Sequence, residues 1–212
     1  MILILIISFA DIVRAKCFNI NLYGCTIYID AGHGGKDNGA SYNGVLEDEI
    51  NLSISKLLIE KLVDKGAYVY SSRDGDYDLA TNYDKNRKAK DLKRRVELIN
   101  NLKPDLFLSI HLNTYNDELV KGGQVFYQTN EKSRLLADIL QKRFNSLSNK
   151  SKKAKFGDYY LLNTSNPIGV LIEWGFLTNQ DDLRNLSDVE YQEIIVENII
   201  GGIKEYFNSK MV

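Results

Sequence analysis

Apolar residues form short runs that alternate with segments of helical periodicity from residue 25 onward. The runs have the length of β-strands, and they predict six strands, at 25–30, 67–72, 105–111, 123–128, 159–162 and 168–173. Strands that alternate with helices along a chain are typical of an α/β layered fold.

Four helices are predicted from apolar residues that recur at spacings of three and four. They are centred on residues 50–62, 92–102, 135–147 and 195–207. Gly66 is suited to end the first helix, and the second must end before Pro104. No internal repeat and no Pro/Gly/Ser-rich linker interrupts this pattern, so we expect one domain over residues 21–212.

Composition supports a single globular unit. The chain has 212 residues, of which 44% are hydrophobic and 26% are charged, which is enough for one substantial core. The net charge of −1 gives no overall field that would attract nucleic acid, so we expect no nucleic-acid partner. A polymer bound by this chain must therefore be recognised locally.

The first residues, MILILIISFA, form an apolar run about half as long as the roughly 20 residues that span a bilayer as a helix. Ser8 and Ala10 suit cleavage, whereas basic residues follow the run instead of preceding it. We interpret residues 1–20 as a signal peptide or short membrane anchor, which predicts an exported protein. The alternatives are an N-terminal strand or a start site placed too late.

Three residues that can bind metal or transfer protons stand at or just beyond the ends of predicted strands. His33 follows CTIYIDAG, His111 ends DLFLSIH, and Glu173 ends IGVLIE. Ligands of open α/β sheets bind at the carboxyl edge of the strands. Each residue alone could be structural, as a turn residue, a core histidine or half of an ion pair, but the three together favour a metal site.

A catalytic zinc site needs three protein ligands and an open position for water. Two histidines leave one ligand to be found, and the candidates near His33 are Asp30, Asp37, Glu47, Asp48 and Glu49. Acidic residues at the start of a helix are also favoured by its dipole, so spacing alone does not choose among them. Phosphate-loop, dinucleotide-binding and serine-hydrolase motifs are absent from the sequence, which leaves metal-assisted hydrolysis.

Six segments, in this order, carry a resemblance to a known family: IDAGHGGKDNGA, LEDEINLSISKLL, SRDGD, RVELIN, DLFLSIHLN and VLIEWGFLTN. Together they resemble the zinc-dependent N-acetylmuramoyl-L-alanine amidases of the type 3 family, from about Cys25 to Phe207. The resemblance implies a three-layer α/β sandwich with a mixed, roughly six-stranded sheet and helices on both faces. It also implies hydrolysis of the amide that joins N-acetylmuramic acid to L-alanine in peptidoglycan.

The resemblance implies a role for each candidate site residue. His33, Glu47 and His111 match the zinc ligands, and Glu173 matches the general base. Arg73, Arg95 and Asn113 fall on recurrent family positions, with a structural or substrate-orienting role left open.

Within that family, the sequence is most similar to the CwlD-type spore-cortex amidases, which prepare glycan for muramic-δ-lactam formation and germination. A vegetative or phage-type lytic amidase, a non-catalytic peptidoglycan-binding homologue and a zinc peptidase are the alternatives. About a dozen residues separate His111 from the next strand, too few for the blocking helix of some relatives, so we expect an open site. A protein activator and an N-terminal membrane association remain open.

Overall fold

The computed structural model describes residues 21–148 and 151–209. Its strands are β1 (Thr26–Ala31), β2 (Ser41–Tyr42), β3 (Val45–Leu46), β4 (Tyr68–Ser71), β5 (Leu106–Asn113), β6 (Gln124–Tyr127), β7 (Lys155–Phe156) and β8 (Gly169–Phe176). Its helices are α1 (Glu47–Asp64), α2 (Arg87–Leu102), α3 (Glu131–Ser148), α4 (Tyr160–Thr164), α5 (Gln180–Leu186) and α6 (Val189–Ser209).

Six of the strands form one mixed sheet in the order β4-β1-β5-β8-β6-β7. Neighbours from β4 to β8 run parallel, whereas β6 runs antiparallel to β8 and parallel to β7. The carboxyl ends of β1, β5 and β8 therefore meet at one edge. His111 lies opposite Glu173 in the β5–β8 register, which brings two predicted site residues together.

Helices cover both faces of the sheet, as expected for a three-layer sandwich. The larger core lies under α1, α3 and α6, with residues such as Ile54, Leu140 and Ile199 fully buried. A smaller core lies under α2 and α4 on the opposite face and contains Val96, Ile99 and Leu161. The central strand β8 is buried along its whole length, which explains its continuous apolar run.

Five of the six predicted strands and all four predicted helices are confirmed. The strand predicted at 159–162 is wrong, because helix α4 occupies Tyr160–Thr164. A short apolar run fits a buried strand and a buried helix segment equally well, and Leu161 and Leu162 are both buried without alternating. The sixth strand is instead Lys155–Phe156, which pairs with β6.

Short elements beside the site were not predicted. The hairpin β2–β3 turns through Asn43 and Gly44, both with positive φ, and leads directly into α1. Residues 114–123 contain no helix, as expected from the length of that segment.

Among residues 21–148 and 151–209, no helix has the length and hydropathy needed to cross a membrane. The segment predicted to be a signal or anchor, residues 1–20, lies outside the described residues.

Candidate active site

The loop after β1 holds His33 in a conformation that side chains rarely adopt. His33 has a φ of 62°, in the left-handed region, which costs conformational energy and must be held by its surroundings. Arg95 donates to the carbonyl oxygen of His33 at 2.7 Å and to that of Ala31 at 2.7 Å. Arg73 donates to the carbonyl oxygens of Ala31 and Gly32 at 3.0 and 2.9 Å.

Both arginines are almost fully buried and are themselves paired or hydrogen-bonded. Arg95 forms ion pairs with Asp30 at 2.7 Å and Asp91 at 2.8 Å, and Asp30 also accepts a hydrogen bond from Ser109. Burial alone would raise the pKa of Asp30, but the Arg95 charge and the Ser109 hydrogen bond outweigh it and lower that pKa. A charged network beneath the loop therefore fixes the backbone on both sides of His33.

Glu47 is the first residue of α1 and points its carboxylate at both histidines. Its Oε1 lies 3.2 Å from Nε2 of His33 and 3.0 Å from Nδ1 of His111. The amides of Leu112 and Ala40 donate to its two oxygens at 3.0 and 2.8 Å. These amide hydrogen bonds fix the orientation of a side chain that is only 3% exposed.

The three side chains form one group of potential metal ligands. One ligand atom from each of His33, Glu47 and His111 lies within 4.8 Å of the others, and the two imidazole rings meet edge to face at 4.9 Å. Two imidazole nitrogens with one carboxylate oxygen are a donor set that suits zinc. Of the five acidic candidates near His33, the structure places Glu47 in this group.

Two further residues orient these side chains. Asp37 places Oδ2 3.1 Å from Nδ1 of His33, so the ring presents its other nitrogen to Glu47. Asn51, one turn after Glu47 in α1, donates to its Oε1 at 3.3 Å. Asp37 is among the candidate ligands named from the sequence. Asn51 could not be identified from the sequence, because its hydrogen bond to Glu47 depends on where α1 begins.

Glu173 is in β8, beside His111 of β5, and it is 8% exposed. Its Oε2 is buried and has no hydrogen-bond partner among the described residues. Burial and, secondarily, the negative charge of Glu47 raise the pKa of Glu173 to about 8. A buried carboxylate oxygen without a partner is costly, so this position is a candidate for interaction with a bound molecule.

The pKa of Glu47, in the three-residue group, is shifted in the opposite direction from the pKa of Glu173. Burial opposes ionisation of Glu47, but hydrogen bonds and charge from His111 and His33 lower its pKa far below the usual range. Burial likewise lowers the pKa of His33, and Glu47 and Asp37 outweigh it, so the pKa of His33 is raised. The group thus concentrates negative charge around the imidazoles, which a bound cation would stabilise.

Glycines next to the site are required for packing of the histidines and of Glu47. A Cβ at Gly32 would collide with the ring of His111. At Gly39, where φ is +68°, a Cβ would lie 2.5 Å from Oε2 of Glu47 and 2.6 Å from the His33 ring. The glycines of this segment let the ligand side chains approach the backbone closely.

The four predicted site residues line one cavity of about 340 Å³ at the carboxyl edge of the sheet. One wall is formed by α2 and α4, with Lys88, Leu92 and Tyr160, and the other includes Ala40, Asn113 and Thr114. Arg73 and Arg95 differ in their relation to this cavity: Arg95 lines it, whereas Arg73 supports the loop from behind. Glu173 and the two histidines therefore border the same space.

Comparison with known proteins adds to this geometry. Residues 27–205 match the profile of the Amidase_3 family, described as N-acetylmuramoyl-L-alanine amidase. The germination-specific N-acetylmuramoyl-L-alanine amidase of Bacillus subtilis is 36% identical over 203 residues, which cover 92% of this chain and 85% of that protein. The amidase LytC of the same organism is 34% identical over 87% of this chain, which spans 36% of LytC.

A solved structure is similar over nearly the same region. The CwlD amidase of Clostridioides difficile, determined in complex with the GerS lipoprotein, superimposes with a TM-score of 0.84 and 34% sequence identity. The superposition covers 87% of this chain and 99% of that one. The resemblance drawn from the six sequence segments is confirmed.

Proposed function

The chain belongs to the Amidase_3 family of N-acetylmuramoyl-L-alanine amidases and acts on peptidoglycan, and from this premise we propose that it is a zinc enzyme with Glu173 as its general base. The zinc would be held by Nε2 of His33, Nδ1 of His111 and a carboxylate oxygen of Glu47. The observation that carries the proposal is the convergence of these three ligand atoms within 4.8 Å beside an unpartnered carboxylate oxygen.

When bound, zinc would supply Lewis-acid activation of water and of the scissile carbonyl group. Glu173 accepts the proton of the attacking water through Oε2 and passes it to the alanine nitrogen as the amide bond breaks. Its position in a buried strand keeps bulk water from competing for that proton, and general acid/base help of this kind contributes about 10²- to 10⁴-fold. Asp37 and Asn51 keep His33 and Glu47 in the orientation that binding requires.

Metal analysis of purified protein separates the two roles. We expect His33→Ala, Glu47→Ala and His111→Ala to lower zinc content, and Glu173→Gln to keep zinc while losing amidase activity. Glu49→Ala is the matched control, because Glu49 lies in the same helical turn but is exposed. Loss of zinc in Glu173→Gln, or full activity in that variant, would contradict the assignment.

The product identifies the bond that is cut. An amidase releases stem peptides that begin with L-alanine and leaves muramic acid without a peptide. Mass spectrometry of digested peptidoglycan distinguishes this outcome from cleavage between two amino acids, which a zinc peptidase would produce. An intact protein that binds peptidoglycan without releasing amino groups would instead be a non-catalytic homologue.

For the biological role, we propose modification of spore cortex that leads to muramic-δ-lactam and permits germination. Support comes from the germination-specific relative of Bacillus subtilis and from the similarity to CwlD. The test is the muramic-δ-lactam content of spores in which this chain, or its Glu173→Gln variant, replaces the resident cortex amidase. The second candidate is a vegetative or phage-type lytic amidase, supported by the endolysin of Bacillus phage SPP1, which is 31% identical over 87% of this chain; it would release peptide from vegetative walls and leave the cortex unchanged.

Peptidoglycan lies outside the cytoplasmic membrane, and the enzyme acts there. We propose that residues 1–20 provide export or anchoring. The CwlD structure contains a lipoprotein partner, and we propose that a protein partner also modulates this chain. Amidase activity measured with and without co-expressed lipoproteins of the same envelope tests that proposal.

A further inference from the structure

Exposed charges of opposite sign lie on the two sides of the cavity. On one wall, α2 presents the exposed side chains of Lys88, Lys90 and Lys93. The loop after β5, whose Asn113 and Thr114 line the cavity, continues into exposed Asp117 and Glu118 outside its lining, and Tyr42 of the β2–β3 hairpin donates to Glu118 at 3.0 Å. The hairpin leads into α1, so the acidic loop is tied to the side of the sheet opposite α2.

A second groove extends the cavity along the basic wall. It has a volume of about 390 Å³ and is lined by Ala89, Lys90, Leu92, Lys93 and Tyr160. Leu92 and Tyr160 also line the cavity that contains Glu173, so the groove continues directly from it. Its surface combines an aliphatic side chain, a half-exposed aromatic ring and two ammonium groups.

The ammonium groups in this groove are available to a ligand. The side chain of Lys90 forms no ion pair with any residue in the described parts of the chain, 21–148 and 151–209. Lys93 pairs with Glu97 at 3.6 Å, but both side chains are more than half exposed, and such a pair is weak. By contrast, the guanidinium groups of Arg87 and Arg94 in the same helix are held by Asp78 and Asp84.

The two halves of the substrate of an amidase of this family also differ in charge. The scissile amide joins a glycan of N-acetylated sugars, which carry no charge, to a stem peptide that carries carboxylates and small apolar side chains. Complementary potentials fix the orientation of a ligand more strongly than they raise its affinity. The groove along α2, with two ammonium groups and an apolar floor, matches the peptide half, whereas the opposite wall at Asn113 and Thr114 is uncharged.

We propose that the groove lined by Lys90, Lys93 and Tyr160 is a subsite for the stem peptide, in which the two ammonium groups bind its carboxylates. The glycan then lies along the opposite wall, beside Asn113 and Thr114. This inference rests on the proposed amidase function and adds the direction in which the substrate crosses the site. It assigns Lys90 and Lys93 to substrate binding and leaves proton transfer to Glu173.

Direct binding tests the subsite without turnover. The probes are N-acetylmuramoyl-L-alanyl-D-glutamate and the same compound with its carboxylates amidated, titrated calorimetrically into the Glu173→Gln protein. The test variant adds Lys90→Gln and Lys93→Gln. Its matched control adds Lys56→Gln and Lys132→Gln, which remove the same charge from exposed positions on α1 and α3.

We expect the acid to bind about three- to tenfold more tightly than the amide, and the Lys90/Lys93 variant to lose about that factor for the acid alone. Added salt should weaken binding of the acid and spare the amide. The subsite is overturned if both probes bind equally, if the Lys56/Lys132 control loses as much, or if the variant loses the amide as strongly as the acid. Failure of the proposed function would appear separately, as absence of amino-group release by the unmodified enzyme.

Discussion

The ends of β1 and β8 meet at the same cavity but are built in opposite ways. Beyond β1, the backbone around His33 is held by two buried arginines whose hydrogen bonds and ion pairs are satisfied. In β8, three residues before its end, Glu173 is buried with an oxygen that has no partner in the described residues. The loop that carries His33 is thus fixed in advance, whereas Glu173, the proposed base, keeps an oxygen that the described residues do not satisfy.

The largest effect that this comparison predicts is the loss of Arg95. Arg95→Met removes the partner of two buried carboxylates, Asp30 and Asp91, and should lower the free energy of unfolding by about 3–5 kcal/mol. Arg94→Met, in the same helix, breaks a solvent-accessible pair with Asp84 and should lower stability much less. Denaturant unfolding of both variants measures the difference. Equal losses would mean that the network under His33 has no special importance.

The next effect concerns metal affinity instead of stability. Asp37→Asn weakens the partner that orients the His33 ring, and we expect zinc affinity to fall about 10- to 100-fold while the fold is retained. Asp64→Asn, at the exposed end of α1, is the control. Competition with a chromogenic zinc chelator gives the affinities. Unchanged affinity in Asp37→Asn would show that the His33 ring is oriented without this carboxylate.

The sequence predicts the site residues better than it predicts the contacts that hold them in place. The apolar strands end at His33, His111 and Glu173, so their meeting at one edge of the sheet could be predicted from pattern and topology. Glu47 could not be selected from spacing, because acidic residues also suit the start of a helix, and the family resemblance was needed. The structure adds the amides of Leu112 and Ala40, whose donation to Glu47 depends on how loops from separate strands pack.

The network around Arg95 could not be inferred from sequence for a related reason. Arg95 and Asp30 are separated by 65 positions, and no local pattern indicates such a pair. The strand prediction at 159–162 is wrong for the opposite reason. The apolar run there is a local feature, but it is too short to distinguish a strand from a helix. Strand ends follow from pattern, whereas what holds them depends on tertiary contacts.

A smaller effect of opposite sign is expected at β8. In metal-free protein at a pH above the raised pKa of Glu173, which is about 8, Glu173→Gln removes a buried carboxylate whose Oε2 lacks a partner in the described residues, and should raise the free energy of unfolding by about 1 kcal/mol. Glu49→Gln, on the exposed side of α1, should change it little. Both are measured by denaturant unfolding in the presence of a chelator. A loss of stability in Glu173→Gln would mean that the carboxylate is satisfied after all, and the contrast with β1 would fail.

The last effect is the acid dependence of stability that the β1 network produces. The pKa of Asp30 is lowered in the folded state, because Arg95 and Ser109 outweigh the effect of burial, whereas in the unfolded chain it lies near 3.9. The ionised form is therefore stabilising above about pH 4, and this contribution is lost as the pH falls through the folded pKa, since the native state must take up a proton.

One such proton gives a slope of at most about 1.4 kcal/mol per pH unit. Asp30→Asn should lower stability at neutral pH and flatten the acid limb below about pH 4, whereas Asp64→Asn should leave that limb unchanged. The slope is the informative quantity, because a merely damaged core would lower stability equally at every pH. If Asp30→Asn unfolds with the acid slope of the parent, the carboxylate beneath His33 is not held ionised by Arg95, and the loop is fixed by hydrogen bonds alone.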